Sequence, residues 1–520
     1  MRALLFFFLL AVAAGTKVLI YSPRFGGSHV SFMGKVADIL VQEGMDVTVL
    51  LPKMNRWLNA NGTKLAKTIT IETDPRVAKM YEDDRIVAAV WNTENSGMLS
   101  AMALLETVTV GHTLQCETNL RQRELLEFLR AEKFDLGVSE VFDLCGLGIF
   151  EEIGLSNHVI MQTALLPEKV ARVFGVPNLP SLVPAYYSDS PMHMDYKDRA
   201  LNLFKSLFGN WWTEHTLISI EEAAQKVLGR RVDFEKKMAE ASFVFTNTDP
   251  VLDFPRAISE RVINIGGLSV PDPKPLDAYW EEVVTERKTA VLISFGSVAQ
   301  SYTMSTGMKK SLLETFRRFP EVTFIWKYEI DEDEVAKDVP NVVTNKWVPQ
   351  NDLLAHPNLK LFVTHAGMNS ILESTRRGVP MITIPLFGDQ MRNAQTVRRF
   401  GNSEFLDKVD LLDTDLLEKT FRKLLQDESY RSNASRLSQM MAKRPRNQRD
   451  ELVKHIKFAA EFGSLPEYRI PQLPFLQYYM LDIILPLIAF SVLVSISITL
   501  VVIRLLKCFF QQKPKKEKVL

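Results

Sequence analysis

Ile483 to Ile503 is a run of twenty-one residues without a charge, IILPLIAFSVLVSISITLVVI. Away from water, such a segment must satisfy every backbone N–H and C=O internally, so it folds as a helix. At helical rise it spans the ~30 Å hydrocarbon core of a bilayer. Pro486 falls in its first turn, where a missing N–H costs least. No polar stripe interrupts the run, so it does not read as a core helix of a globular domain. Tyr478 and Tyr479 precede it and Phe509 and Phe510 follow it, as interfacial aromatics do. The segment 483–503 is therefore expected to be a single transmembrane helix.

The flanks set its direction. Arg504, Lys507, Lys513, Lys515, Lys516 and Lys518 follow the run against one Glu517, while Asp482 precedes it. The excess of Lys and Arg places residues 504–520 in the cytosol and the bulk of the chain in a lumen. The amino terminus agrees. Met1 and Arg2 lead into uncharged residues from Ala3 to Thr16, with small residues at Ala11, Ala13, Ala14 and Gly15. That pattern is a secretory signal over residues 1–15, cut near Ala13–Gly15. The lysines of Lys516-Glu517-Lys518-Val519-Leu520 resemble a dilysine retrieval signal of endoplasmic reticulum membrane proteins; a basic tail resting on anionic lipid is the other reading. Both give a single-pass type I protein with a lumenal body. Asn61-Gly62-Thr63 and Asn433-Ala434-Ser435 are N-glycosylation acceptors in that setting.

The body is long enough for more than one core, and 46% hydrophobic residues with 24% charged allow it to bury one. Lys+Arg and Asp+Glu both number 62, so there is no basic excess for a nucleic-acid partner. Cys116, Cys145 and Cys508 are too few for a disulfide framework, which excludes a small stapled module.

Val18–Ser22 reads as a strand, and Phe32, Val36, Ile39 and Leu40 recur at helical spacing after a Gly26-Gly27-Ser28-His29 turn. Gly44 ends that helix and Val47–Leu51 is the next strand, a βαβ unit. Phe134–Val141 is a further strand. Residues from about Pro180 to Arg230 are rich in Trp, Tyr, Met and Phe, and read either as an insertion lining an apolar pocket or as helical packing. Alternate prolines make Val270–Pro275 an extended linker. Strands then restart at Thr289–Ser294, Val322–Trp326, Leu359–Thr364 and Met381–Pro385. The expected organisation is an α/β chain with two Rossmann-like domains: 16–268, a linker 269–285, and 286–450, followed by a helical and juxtamembrane segment 451–482.

The chemistry concentrates between Trp347 and Gln390. A strand ends at Thr364, His365-Ala366-Gly367 turns, and Asn369 and Ser370 are suited to cap a short helix that stops at Gly378. A second strand leads to Asp389-Gln390. Ligands of open α/β sheets bind beyond the carboxyl ends of strands. A helix N-terminus behind a glycine turn suits a diphosphate, and acceptor groups on Asp389 and Gln390 suit sugar hydroxyls.

This 44-residue stretch, with Trp347-Val-Pro-Gln350, His356-Pro357 and His365 to Gln390 in order, resembles the signature of the UDP-glycosyltransferases, specifically the membrane-bound UDP-glucuronosyltransferases. The resemblance extends over nearly the whole chain. It implies the GT-B arrangement, two Rossmann-like domains facing across a cleft. It implies that Trp347 stacks on uracil and Gln350 contacts the nucleoside. Ser297, His365, Gly367, Asn369 and Ser370 would hold the diphosphate, Glu373 the ribose, and Asp389 and Gln390 the donated sugar. Ala366 stands where many members have glycine. His29, at a helix start, would be the general base. The positive end of the helix dipole disfavours its imidazolium form. A carboxylate should orient it, and Glu140 occupies the position usually held by Asp, with Asp143 three residues on as the alternative.

The implied reaction is inverting transfer from a UDP-sugar to a hydroxyl of a small lipophilic acceptor. Glucuronate is the leading donor, and UDP-glucose or another UDP-sugar the alternative. A catalytically silent UDP-sugar or lipophile binder is the reading of another class. No cofactor beyond the co-substrate is expected, and no metal, because no His/Cys cluster has ligand spacing; Asp331-Glu332-Asp333 reads as a solvated loop. Family members often self-associate, so a homo- or hetero-oligomer is implied.

Overall fold

The computed structural model describes residues 15–55, 58–80, 89–92, 98–471 and 473–511. Residues 1–14 of the expected secretory signal and the dilysine tail lie outside them.

The first half builds a seven-stranded sheet from β1 (Lys17–Tyr21), β2 (Asp46–Pro52), β3 (Lys67–Ile71), β4 (Leu136–Glu140), β5 (His158–Gln162), β6 (Val244–Thr246) and β7 (Val262–Asn264). Their order is β3-β2-β1-β4-β5-β6-β7 and every pairing is parallel, with Val18 opposite both Val47 and Leu136. Parallel strands need crossovers, which cover both faces with helices. That is why β1 reads as an unbroken apolar run. Leu19 and Tyr21 enter one core, and Val18 and Ile20 the other. The crossovers include α1 (Gly27–Gln42), α2 (Met98–Leu120), α3 (Cys145–Ile153) and α4 (Tyr196–Leu228). Gly44, at φ +84°, turns the chain from α1 into β2.

The aromatic-rich region resolves into α4, a 33-residue helix opened by a capping box between Asp195 and Asp198. Within it Trp212 is buried while Trp211 stays exposed. Cys116 of α2 and Cys145 of α3 form a disulfide, with Cα atoms 5.5 Å apart. One bridge is no framework, but the pairing was not legible from the spacing.

The second half repeats the plan with β8 (Thr289–Ser294), β9 (Val322–Lys327), β10 (Val342–Asn345), β11 (Leu359–Thr364), β12 (Met381–Thr383) and β13 (Ser403–Phe405) in the parallel order β10-β9-β8-β11-β12-β13. Here α5 (Gln350–Ala355), α6 (Met368–Arg377) and α7 (Gln390–Arg398) follow β10, β11 and β12. The order in which strands are added reverses once in each sheet, between β1 and β4 and between β8 and β11. Loops leaving these neighbours diverge and open a crevice.

The linker is clamped rather than loose. Arg377 at the end of α6 donates to the Pro271 carbonyl at 2.6 Å, Arg376 to the Val270 carbonyl at 3.4 Å, and the Lys274 N–H donates to Asp352 at 2.9 Å. After the second sheet the chain returns to the first. In α8 (Gln448–Phe462), Leu452, Val453, Ile456 and Ala459 join the core of Val18, Ile20 and Phe32. Arg449 pairs with Glu43 beyond the end of α1 at 2.8 Å. The described residues from Ile470 onward form a separate unit whose helix α9 (Leu481–Gln511) is long and apolar enough to cross a membrane.

Candidate active site

His29 is the third residue of α1, whose N-cap is Gly26 with no side-chain cap. Its Nδ1 touches Glu140 Oε1 and lies 2.8 Å from Thr163 Oγ1. Glu140 is the last residue of β4 and Thr163 follows the end of β5, so the switch point of the first sheet brings the three together. Thr163 Oγ1 also donates to Glu140 Oε1 at 2.6 Å. With Nδ1–H donating to the carboxylate, Nε2 carries the lone pair. Glu140 is 1% exposed and His29 20%, so the carboxylate is sealed while the imidazole opens to the cleft.

Aromatic rings surround this pair. Phe25 stacks on Phe142 at 4.8 Å, and their centroids lie 4.4 and 5.3 Å from that of His29.

Asp143 stands apart from His29. It accepts from Tyr21 Oη at 2.9 Å and the Cys145 N–H at 3.0 Å, and lies 3.9 Å from His112 Nδ1. Burial pushes its carboxyl above the usual range and lowers the His112 imidazole. Of the two carboxylates considered, Glu140 is the one in contact with His29. Asp143 belongs to a buried polar chain that runs through Tyr21 to Asn119, which donates to Tyr21 Oη at 3.1 Å.

The residues expected to hold the donor lie on the other half. His365 follows β11, and its ring is wedged between two glycines. A Cβ on Gly296 would fall 2.8 Å from the ring, and one on Gly367 2.5 Å from it. Burial, then repulsion from Lys327, holds its pKa down to about 4, so the imidazole is neutral at neutral pH. Ala366 sits at φ +62°, the left-handed conformation that glycine adopts freely.

The helix cap differs from the expectation. The N-cap of α6 is Gly367, without a side-chain cap. Asn369 and Ser370 lie inside the first turn and spend their side chains elsewhere. Asn369 Oδ1 accepts from Asn247 at 2.8 Å, and Ser370 Oγ from Gln350 at 3.3 Å. The first-turn N–H groups are therefore left open, as an anion requires.

Gln350, which opens α5, donates to Glu373 of α6 at 2.6 Å. Burial raises the Glu373 carboxyl, and Gln350 partly offsets that. Trp347 is 73% exposed on the loop after β10, a ring face without cover. Asp389, before α7, accepts from Asn393 at 2.7 Å. Burial raises it, opposed by Asn393 and by His29 across the cleft. Gln390 departs from its expected use: its side-chain oxygen already accepts from the Leu386 and Phe387 N–H groups at 2.9 and 3.1 Å. Only its amide hydrogens remain to offer a ligand.

The halves meet at these two helix starts. Asn369 Nδ2 donates to the Ser28 carbonyl at 3.4 Å, and a Cβ on Gly27 would lie 3.1 Å from Ser297 Oγ. The acidic loop lies apart, Asp331 pairing with Lys346 at 3.1 Å and Asp333 accepting from Tyr328 Oη at 2.5 Å. Among the described residues no group of three or more His, Cys, Asp or Glu is arranged to hold a metal ion.

Residues 16–518 match the family model described as UDP-glucoronosyl and UDP-glucosyl transferase. The chain belongs to this family. The Xenopus laevis UDP-glucuronosyltransferase 3A1 is 28% identical over 96% of this chain and 94% of its own. The Bos taurus UDP-glucuronosyltransferase 3A1 is 30% identical over 92% and 91%. Among solved structures, a UDP-glucosyltransferase from Polygonum tinctorium superposes with a TM-score of 0.59 at 16% identity, covering 86% of this chain and 99% of that one. The glycosyltransferase of kitacinnamycin gives 0.58 at 18% identity, with the same shares covered. The fold is the GT-B arrangement of a glycosyltransferase, and a UDP-sugar donor fits the family.

Sequence reasoning overlooked Thr163, Asn247 and His112 in this glycosyltransferase. Thr163 and Asn247 follow strand ends, which was the available signal. His112 lies mid-helix on α2 and carried none.

Proposed function

We propose that this UDP-glycosyltransferase transfers glucuronic acid from UDP-glucuronate to a hydroxyl of a small lipophilic acceptor, with inversion at the anomeric carbon. The observation that carries this reading is the His29–Glu140 contact, opposite the open N-terminus of α6. His29 Nε2 takes the acceptor proton as the oxygen attacks the anomeric carbon from the face opposite UDP. Glu140 stabilises the imidazolium that forms. UDP departs toward the first-turn N–H groups of α6, which meet its growing charge. Phe25 and Phe142 beside His29 favour an apolar, ring-bearing acceptor. The contact also favours a catalyst over a silent binder.

The names of the curated relatives support glucuronate. A specific observation favours the second reading, a neutral hexose. Arg392, beside Asp389, is bound to Asp253 at 2.9 Å, and Lys327 donates to Glu329 and to the Gly296 carbonyl, each at 2.9 Å. Arg392 and Lys327 are thus already partnered. The protein is further proposed to sit in the endoplasmic reticulum membrane through α9 with its body in the lumen, where the Cys116–Cys145 disulfide is compatible with the oxidising compartment. Self-association follows the family habit.

Microsomes carrying the full chain, supplied with labelled UDP-glucuronate, UDP-glucose and UDP-N-acetylglucosamine and a panel of phenols, test this. Transfer from UDP-glucuronate, lost in His29→Ala and reduced at least ~100-fold in Glu140→Gln, is expected. Transfer from UDP-glucose alone would sink the donor assignment and keep the mechanism. Full activity in His29→Ala would sink the mechanism.

A further inference from the structure

Asn247 follows β6 at the carboxyl edge of the first sheet and is fully buried. Its Nδ2 donates to the Thr163 carbonyl at 3.1 Å and to Asn369 Oδ1 at 2.8 Å. A main-chain carbonyl can only accept, so the atom facing it must be the amide nitrogen. That nitrogen in turn requires the oxygen of Asn369, whose own Nδ2 is then left to donate to the Ser28 carbonyl at 3.4 Å. Ser28 precedes His29. Thr163 closes the figure by donating through Oγ1 to Glu140. The hydrogen bonds therefore run from His29 through Glu140, Thr163, Asn247 and Asn369 to Ser28. They cross from the acceptor half to the donor half at Asn247–Asn369 and return at Asn369–Ser28. One backbone carbonyl thus sets the rotamers of two amides in sequence.

We propose that Asn247 is a positioning residue that holds Asn369, in the first turn of α6, in register with the His29–Glu140 pair. Its amide sets the separation between the base and the carbon that is attacked. This rests on the reading of His29 as the base. A single hydrophobic or hydroxyl residue could fill the same space, but neither bridges two acceptors with one nitrogen. Asn247→Asp keeps the shape and removes the donor, placing oxygen against the Thr163 carbonyl and Asn369 Oδ1.

The test is steady-state kinetics on the full chain in microsomes, beside UDP binding by calorimetry on detergent-solubilised protein. Asn247→Ala and Asn247→Asp should each lower kcat by ~10- to 100-fold, as small misplacements of reacting groups do. Acceptor KM and the UDP Kd should stay within about threefold, since neither the aromatic wall nor the backbone of α6 is touched. Asn247→Ala combined with Asn369→Ala should lose no more kcat than the worse single variant, because the two act through one bond. Parent kcat in Asn247→Asp, or multiplicative losses in the double variant, would overturn the proposal. If Asn247→Ala does not fold, Asn247→Asp alone decides. His29→Ala serves as the control. If it retains activity, the base assignment fails. If it is inactive while the Asn247 variants match the parent, only this proposal fails.

Discussion

His365 owes its place to two residues that have no side chain. Gly296 and Gly367 let the backbone approach within a distance that any Cβ would block. The resulting burial, with Lys327 nearby, holds the imidazole neutral down to about pH 4, against an ordinary value of about 6.5. A depressed pKa contributes stability above the unfolded value and loses it as pH falls toward the folded one. The thermal midpoint of the unliganded protein should therefore fall between about pH 6.5 and pH 4 more steeply than that of His365→Gln. His112 and His158 are lowered by burial too, so the slope difference between the two proteins is what isolates His365. Equal slopes would remove the argument. The two glycosylation triplets also separate at this scale. Asn433 lies within a helix, Glu428–Ala442, and its amide nitrogen donates to the Gly401 carbonyl at 3.0 Å, whereas Asn61 is exposed and its side-chain oxygen, not its nitrogen, is engaged, accepting from Arg24. Expressed in microsomes, Asn61→Gln should lose a glycosidase-sensitive mass shift and Asn433→Gln should not. The reverse pattern would contradict the folded environment of Asn433.

Among the elements, α6 is the one whose termini do different work. Its start leaves N–H groups open to the cleft, and its end places Arg376 and Arg377 on the linker. The same two arginines complement the helix dipole at its negative end. The helix α8 is the least expected element. It follows the second half in sequence yet completes the core of the first. Ile456 is fully buried there, and Ile456→Ala should cost about 2–5 kcal/mol. That loss would be read as a lower midpoint in thermal unfolding. A change below about 0.5 kcal/mol, the range of surface substitutions, would mean that α8 does not pack as described.

For the whole molecule, the return of α8 means that the first half is assembled from two distant stretches of chain. A chain ending at Arg446 would expose the apolar face covered by Leu452, Ile456 and Ala459. It should aggregate when expressed, while one ending at Arg469 should remain soluble and bind UDP, since an uncovered apolar face of that size drives association. Sedimentation and calorimetry compare the two; equal solubility would show that the first half closes its core without α8. The halves are also joined by buried ion pairs, Arg392 with Asp253 at 2.9 Å and Arg444 with Asp249 at 2.6 Å. These tie residues just after β6 to α7 and to the segment leading into α8.

The fold class, the two repeated βαβ halves and the apolar span were legible in the chain, because hydrophobic period and glycine punctuation are local signals. The stretch from Trp347 to Gln390, whose residues are close in sequence, was legible as the family's signature. Glu140 was within reach as well, since it ends a strand beside the one that precedes His29. Other features depend on contacts between distant residues and left no local trace. They include the contact that distinguishes Glu140 from Asp143, the Cys116–Cys145 bridge and the return of α8. The fate of the Gln390 oxygen and the Asn247 link between the halves belong with them. Periodicity records which face of an element is buried; only the assembled chain decides which distant partner buries it.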